Sequence, residues 1–155
     1  MRMNKVTGFS LVELMVVVVL VTIMATAAVT GLMELVHSVR VKSASQGLFS
    51  TLLLARSEAA KRNLDVTVTP VDEDDWGAGW DVGAGGELIY RQQALKGVAI
   101  TLGPAAVTYN HHGRLPDGTA PPHFQIQVPG DASGPSRCLE IDLSGRASTY
   151  KGGCV

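Results

Sequence analysis

The 155-residue sequence predicts an α+β protein in which one long N-terminal α-helix packs on a C-terminal antiparallel β domain. Two observations support this prediction. No proline occurs between Phe9 and Thr69, and apolar residues recur through that stretch at the three- and four-residue spacing of a helix. After Asp65 the period changes to two, in short segments separated by turns rich in glycine and proline.

The first half of the predicted helix has the composition of a membrane span. Residues 14–33 contain no charged side chain, and about twenty residues at 1.5 Å rise match the roughly 30 Å hydrocarbon core of a bilayer. Arg2 and Lys5 precede this run, which favours a cytoplasmic N-terminus and translocation of the C-terminal bulk. The run is longer than a secretory h-region, and we expect it to stay in the mature protein.

Glu13 is a carboxylate at the N-terminal edge of this apolar run, where an unpaired charge costs about 2–3 kcal/mol. A first-turn glutamate near water, favoured by the helix N-terminus, is one explanation. The surrounding residues suggest another. Lys5-Val-Thr-Gly8-Phe9-Ser-Leu-Val-Glu13-Leu-Met resembles the class III signal of type IV prepilins and type II secretion pseudopilins. The resemblance implies that prepilin peptidase cleaves between Gly8 and Phe9 and N-methylates Phe9.

This resemblance implies a type IV pilin-like fold and three segments. Residues 1–8 are a leader that is removed, residues 9–36 form the transmembrane or filament-core half of the helix, and residues 37–155 form a periplasmic globular domain. That domain comprises an amphipathic half-helix, 37–62, and a β domain, 65–155. The protein is then a single-pass bacterial inner-membrane protein that later joins a pilus or pseudopilus at the cell surface.

Physical reasoning gives Glu13 a role in assembly. Cleavage leaves a cationic amine on Phe9, which is as costly in lipid as the carboxylate of Glu13. In a filament of parallel, staggered helices, Glu13 of one subunit can neutralise the amine of its neighbour and thereby set the register. Loss of Arg2 and Lys5 with the leader also changes the formal net charge from −1 to −3, before the new amine is counted.

The second half of the helix is amphipathic and is predicted to end at Asn63. Residues 52–62 resemble the end of the long helix in the FimT/GspH group of minor pilins and pseudopilins. Two further stretches resemble that group more loosely, Trp76-Gly-Ala-Gly79-Trp80 and residues 137–154. The overall layout resembles that of FimU-like minor pilins. The predicted inner face of the helix consists of Val41, Ala44, Leu48, Leu52, Ala55 and Ala59.

The β domain is predicted as one antiparallel sheet or two small ones against the helix. Pro70 is expected to end the first strand, and the stretch with the two tryptophans is expected to be a turn that anchors the sheet to the helix. The predicted strands are 65–69, 79–82, 88–91, 98–102, 106–109, 124–128, 138–143 and 147–150.

The two cysteines, Cys138 and Cys154, lie in the part of the chain that is predicted to be exported. An even cysteine count there predicts one disulfide bond. A metal or redox pair is the alternative, but the C-x-x-C spacing and a nearby histidine are both missing.

No cofactor, metal or catalytic residue is predicted, and the chain is expected not to be an enzyme. The acidic run at residues 72–75 lacks the alternation of a calcium loop and is interpreted as a solvated turn. His111, His112 and His123 have no cysteine or carboxylate at ligand spacing.

Nucleic-acid binding is an open alternative. Some FimT-type minor pilins are DNA receptors with a basic G-R-x-R motif near the C-terminus, and Gly145-Arg146-Ala-Ser has the first arginine but not the second. Arg146, Arg137 and Lys151, with Arg114 near them, are candidates for a weak, salt-sensitive phosphate contact.

The resemblance thus implies a structural protein, a minor type IV pilin. Its partners would be prepilin peptidase, the other minor pilins and the major pilin, in a complex that primes assembly and sits at the pilus tip. The alternatives are a GspH-like pseudopilin of a type II secretion pseudopilus and a FimT-like DNA receptor for natural transformation.

Overall fold

The structure is a computed structural model that describes residues 9–154, the side chains of residues 27–30 excepted. The predicted leader, residues 1–8 with the cleavage residue Gly8, lies outside the described residues. One helix, α1 (Leu11–Arg62), is followed by eight strands. These are β1 (Val66–Asp72), β2 (Asp75–Ala84), β3 (Glu87–Gln92), β4 (Ala99–Thr101), β5 (Val107–Tyr109), β6 (His123–Gln127), β7 (Ser136–Ile141) and β8 (Ala147–Lys151).

The chain divides into two compact units, one ending at Leu35 and the other beginning at Val36. The first unit is helical from Leu11 onward and contains the apolar run. Among the described residues, α1 is the one helix long and apolar enough to cross a membrane, judged by length and composition. Inside the run, the hydroxyls of Thr22 and Thr26 donate to the carbonyls of Val19 and Ile23, at 2.8 Å each. Local bonds of this kind satisfy polar groups where water is absent.

The C-terminus of α1 lies where the sequence predicts it, just before Asn63. Asn63 adopts a left-handed conformation with φ 55°, and the amide of Leu64 donates to the Ala59 carbonyl at 3.3 Å. This is the Schellman arrangement, in which a residue that tolerates positive φ lets the chain reverse and satisfies a terminal carbonyl. The basic residues Lys61 and Arg62 occupy the last turn, where they complement the helix dipole.

The second unit contains two four-stranded antiparallel sheets, and both contribute to one core with the predicted inner face of α1. The strand orders are β3-β2-β1-β5 and β4-β6-β7-β8. Trp76, Trp80, Tyr109 and Phe124 are the largest fully buried side chains of this core.

The tryptophan segment is a strand, so its predicted turn is wrong. Trp76 and Trp80 both lie in β2 and, four residues apart, point to the same buried face. Trp80 Nε1 donates to Thr51 Oγ1 of α1 at 3.1 Å and thus links sheet to helix, as expected. Trp76 Nε1 instead donates to the Pro104 carbonyl at 2.8 Å, and its ring packs edge-on against a ring of the second sheet.

Pro70 does not end the first strand, which corrects a second expectation. β1 continues to Asp72, and Pro70 lies opposite Trp80 of β2. On its other side β1 pairs with β5 only from Val66 to Val68. Pro70 therefore occupies a stretch with a neighbour on one side, where a missing N–H is tolerated.

The two cysteines form a disulfide bond, with their Cα atoms 5.0 Å apart. Cys138 is buried in β7, and Cys154 follows the last strand. The amide of Cys154 donates to Gln125 Oε1 of β6 at 2.7 Å, so the bond and this contact fix the C-terminal tail to the second sheet.

Candidate assembly segment and arginine loops

The start of α1 places Glu13 in the first helical turn, close to the residue that the sequence predicts as the mature N-terminus. The carbonyl of Ser10 accepts the first intrahelical bond, from the amide of Leu14 at 3.1 Å. Ser10 is therefore the N-cap residue, and Glu13 follows at the third helical position. Ser-x-x-Glu is the spacing of a capping box, a signal present in the sequence that our sequence reasoning missed.

The apolar surface of this segment is uncovered. Every side chain described between Phe9 and Thr26 is exposed, and Phe9 itself is 76% exposed. A continuous apolar surface of this length needs lipid or other apolar helices around it. The arrangement suits membrane insertion followed by helix–helix packing, with Glu13 as the one charged group between Phe9 and Met33.

The structure separates the basic residues that the sequence grouped together. Arg137 and Lys151 lie opposite each other on β7 and β8. Arg146 precedes the start of β8, five residues or about 16 Å along the strand from Lys151. The predicted patch of Arg137, Arg146 and Lys151 therefore does not form as one cluster.

Arg146 lies beside Arg114 instead, because two loops of the same design pack against each other. We call residues 110–114 and 142–146 the arginine loops. Their sequences are Asn110-His-His-Gly-Arg114 and Asp142-Leu-Ser-Gly-Arg146. A Cβ on Gly145 would lie 3.3 Å from the Arg114 Cα and inside contact distance of the Gly113 carbonyl oxygen.

In each loop, the side chain of the first residue accepts a bond from the amide of the arginine and a second bond from the loop. In the first, the Asn110 side-chain oxygen accepts from the amides of His112 (3.0 Å) and Arg114 (3.1 Å). In the second, a carboxylate oxygen of Asp142 accepts from the Arg146 amide at 3.0 Å and from the Ser144 hydroxyl at 2.6 Å.

The glycine before each arginine has positive φ, 71° in the first loop and 79° in the second. Such a conformation favours glycine. Both glycines are buried while both arginines are exposed. The shared loop geometry thus sets two guanidinium groups on neighbouring stretches of backbone. The repeated Asx-x-x-Gly-Arg pattern is the sequence signal for this site, and our sequence reasoning did not use it.

A third arginine, on α1, forms a hydrogen bond to the first loop. Arg56 is half-buried, and its Nε donates to the Gly113 carbonyl at 2.9 Å. The Tyr109 ring lies against Gly145, and its hydroxyl is buried with no partner among the described residues. Burial raises the pKa of Tyr109 to about 12, and the charge of Arg56 opposes this shift. The bonds from Ser144 and Arg146 lower the pKa of Asp142, which keeps that carboxyl ionised.

The acidic run forms the turn between β1 and β2. We call residues 72–75 the acidic turn; all four side chains are exposed, and Asp74 has φ 65°. Within the described part of the chain, no group of three or more His, Cys, Asp or Glu has a geometry suited to a metal ion.

Comparison with known proteins identifies the family. The model of type II transport protein GspH matches residues 44–145, about two thirds of the chain. The chain belongs to the GspH family. The prokaryotic N-terminal methylation motif matches residues 3–29, a segment that contains Glu13. A comparison with curated protein sequences finds no match.

Two crystal structures of the type IV minor pilin FimU from Pseudomonas aeruginosa PAO1 are similar to this chain. In space groups P21 and P65 alike, the identity is 23% and the TM-score 0.63 over 74% of this chain. The match covers 95% and 99% of the respective FimU chains. The likeness shows the type IV pilin fold. With the family and the methylation motif, the predicted fold and the predicted pilin/pseudopilin group are confirmed.

Proposed function

We propose that the protein is a minor type IV pilin, processed by prepilin peptidase between Gly8 and Phe9, that joins a minor-pilin complex priming pilus assembly at the tip. The observation that supports this most is a methylation motif leading into an apolar helix that no described residue covers. In the proposal, residues 9–36 sit first in the inner membrane and then in the filament core. Residues 37–155 form the periplasmic domain.

Assembly in this proposal depends on neutralising two charges in an apolar core. The amine and the methyl group created at Phe9 lie at the helix start, and Glu13 lies in the first turn. Each group alone is costly to bury, and removing one partner of a buried pair costs about 3–5 kcal/mol. The carboxylate of one subunit therefore pairs with the amine of the next and fixes the axial stagger between their helices.

The test is the variant Glu13→Gln, which keeps the side-chain volume and removes the charge. We expect normal leader cleavage, seen as a gel mobility shift, with incorporation into sheared pili reduced at least about tenfold. Glu34→Gln is a matched control, because Glu34 is exposed on the same helix just beyond the apolar run. Normal incorporation of Glu13→Gln would remove the pairing mechanism.

The priming role is tested separately by counting surface pili on cells that lack the chain and on complemented cells. We expect loss of pili and recovery on complementation. Unchanged piliation would refute priming.

A pseudopilin of a type II secretion system is the second candidate, and the matched family description favours it. The physics of the helix is the same in both machines. Loss of protein secretion with normal piliation in the deletion strain would assign the chain to secretion.

A further inference from the structure

An open groove crosses the outer face of the second sheet beside the second arginine loop. Its volume is about 790 Å³, within the roughly 300–1,000 Å³ that is usual for binding sites. Glu140 of β7 lies in this groove between His123 of β6 and Ser148 of β8, its partners in the strand register. Pro121 and Leu143 add exposed apolar surface to its wall. We call it the Glu140 groove.

The charges of the groove leave one carboxylate without a counter-charge. The Ser144 hydroxyl and the Arg146 backbone lower the pKa of Asp142, and the charge of Arg146 lowers it further. Asp142 and Arg146 therefore offset each other within one loop. Glu140 is half-buried, and its described bond partner is the neutral hydroxyl of Tyr150, at 2.5 Å. Among the described residues no cationic side chain forms an ion pair with Glu140.

Glu140 can still accept bonds from a partner. A carboxylate has about four acceptor positions, and the Tyr150 hydroxyl uses one of them. Because Glu140 is half-buried, a cation on it is screened less than it would be in open water. Leu143, 57% exposed, and Pro121 offer apolar contact to an aliphatic stem. The groove thus fits a side chain with an aliphatic stem and a cationic end, which is lysine or arginine.

We propose that the Glu140 groove binds a lysine or arginine side chain of a different protein subunit. The cationic end lies on Glu140, and the stem packs against Leu143 and Pro121. This inference rests on the proposed function, in which the chain joins a complex of unlike minor pilins. A contact between unlike subunits needs a complementary charge on the partner, and such charges fix both the choice of partner and the register.

The same charges disfavour a nucleic acid in the groove. A phosphate placed there would face the carboxylates of Glu140 and Asp142, and Asp142 already offsets the one arginine of the lining. Like charges brought together in this way cost free energy and reject a partner. The net negative charge of the groove therefore selects a basic segment.

The experiment uses the full-length chain in cells that contain the complete assembly machinery. The photo-crosslinking residue benzoylphenylalanine replaces Leu143, which is exposed at the wall of the groove. Irradiation joins this position to the segment that occupies the groove. Mass spectrometry of the cross-linked peptide then identifies the partner and the segment, and the yield of this cross-link is the quantity compared between variants.

We expect a cross-link to another pilin or pseudopilin, in a segment that contains lysine or arginine. Glu140→Gln keeps an acceptor for Tyr150 and removes the charge, so the yield should fall at least about fivefold. Glu140→Lys should lower the yield at least about tenfold, because like charges then face each other. Replacing the lysine or arginine of the cross-linked segment with glutamate should restore the cross-link to Glu140→Lys.

The matched control is Glu73→Lys, which makes the same charge change on the exposed acidic turn, outside the residues that line the groove. It should leave the yield within about twofold. A yield that is indifferent to Glu140→Gln and Glu140→Lys would overturn the proposal. A cross-linked segment without lysine or arginine, a cross-link to a second copy of this chain, or no cross-link to any protein would overturn it as well.

Failure here and failure of the proposed function are distinguishable. Unchanged piliation in the deletion strain with an intact, Glu140-dependent cross-link refutes priming and keeps the groove contact. Lost piliation with no Glu140-dependent cross-link refutes the groove contact and keeps priming.

Discussion

Replacing Gly145 with alanine tests the packing of the two arginine loops. Gly145 has φ 79°, and an L-residue there costs roughly 1–2 kcal/mol. A methyl group would also collide with the Gly113 carbonyl oxygen and come within 3.1 Å of the Tyr109 ring. The Gly113 carbonyl accepts a bond from Arg56, so it cannot move away freely. Overpacking of this kind costs a further 1–3 kcal/mol or so.

The expected loss in the free energy of unfolding is therefore about 2–5 kcal/mol. Gly86→Ala is the matched control, because Gly86 has φ 86° and a Cβ there would meet no atom within 4 Å. That variant should lose only the conformational part, about 1–2 kcal/mol. The difference between the two variants isolates the contact between the loops.

The assay is chemical denaturation of residues 36–155, followed by tryptophan fluorescence, since both tryptophans are buried in this unit. The unit contains all the buried hydrophobic residues that the structure describes. If the two variants lose the same free energy to within about 0.5 kcal/mol, the loops do not pack as described.

Three further predictions concern stability of the same unit. Replacing both Cys138 and Cys154 with serine should lower the free energy of unfolding by about 3 kcal/mol by the chain-entropy model, since the bond closes a sequence separation of 16. Denaturation of the variant beside the unaltered unit, both without reductant, measures the loss, and equal midpoints for the two proteins would contradict the prediction. Thr51→Val should cost about 1–3 kcal/mol by leaving the buried Trp80 N–H unpaired, whereas Thr51→Ser, which keeps the hydroxyl, should lose less in the same titration. Tyr109→Phe should stabilise the unit by about 1 kcal/mol or more, because it removes a buried hydroxyl without a partner. Because the pKa of Tyr109 is raised to about 12 on folding, the native state keeps a proton that the unfolded state loses; stability should fall as the pH rises from about 10 to 12, and Tyr109→Phe should lessen that fall in thermal melts.

Local sequence determined the features that depend on near neighbours in the chain. Helical spacing without proline predicted α1, and its predicted end at Asn63 was correct because a positive-φ residue and the last helical carbonyls are within a few positions of each other. Period-two alternation predicted the strand segments, because this pattern also depends on residues that are close together in the chain. The methylation motif is also local, and its family was identified from consecutive residues.

Two of the errors arose where a local signal was overridden by pairing with a distant strand. Gly79 and its neighbours indicated a turn, yet the segment is extended because β2 pairs with both β1 and β3. Pro70 indicated a strand end, yet β1 continues because it stays paired with β2 as far as Asp72. Its pairing with β5 ends at Val68, so Pro70 needs no N–H donor on the β5 side. Neither pairing is visible in the local sequence.

The arginine loops were likewise determined partly by local sequence and partly by tertiary structure. The sequence alone contained the residues, and it contained the Asx-x-x-Gly-Arg pattern twice. Which arginine neighbours which was decided by tertiary structure, since strand register sends Arg137 and Lys151 to one end of β8 and Arg146 to the other. The contact of Gly145 with the first loop then joins Arg146 to Arg114 across 32 positions of sequence. The local sequence determines helices, caps and strand faces because these depend on residues within a few positions of each other. A charged surface is assembled from distant segments, and only the packing of the sheets determines it.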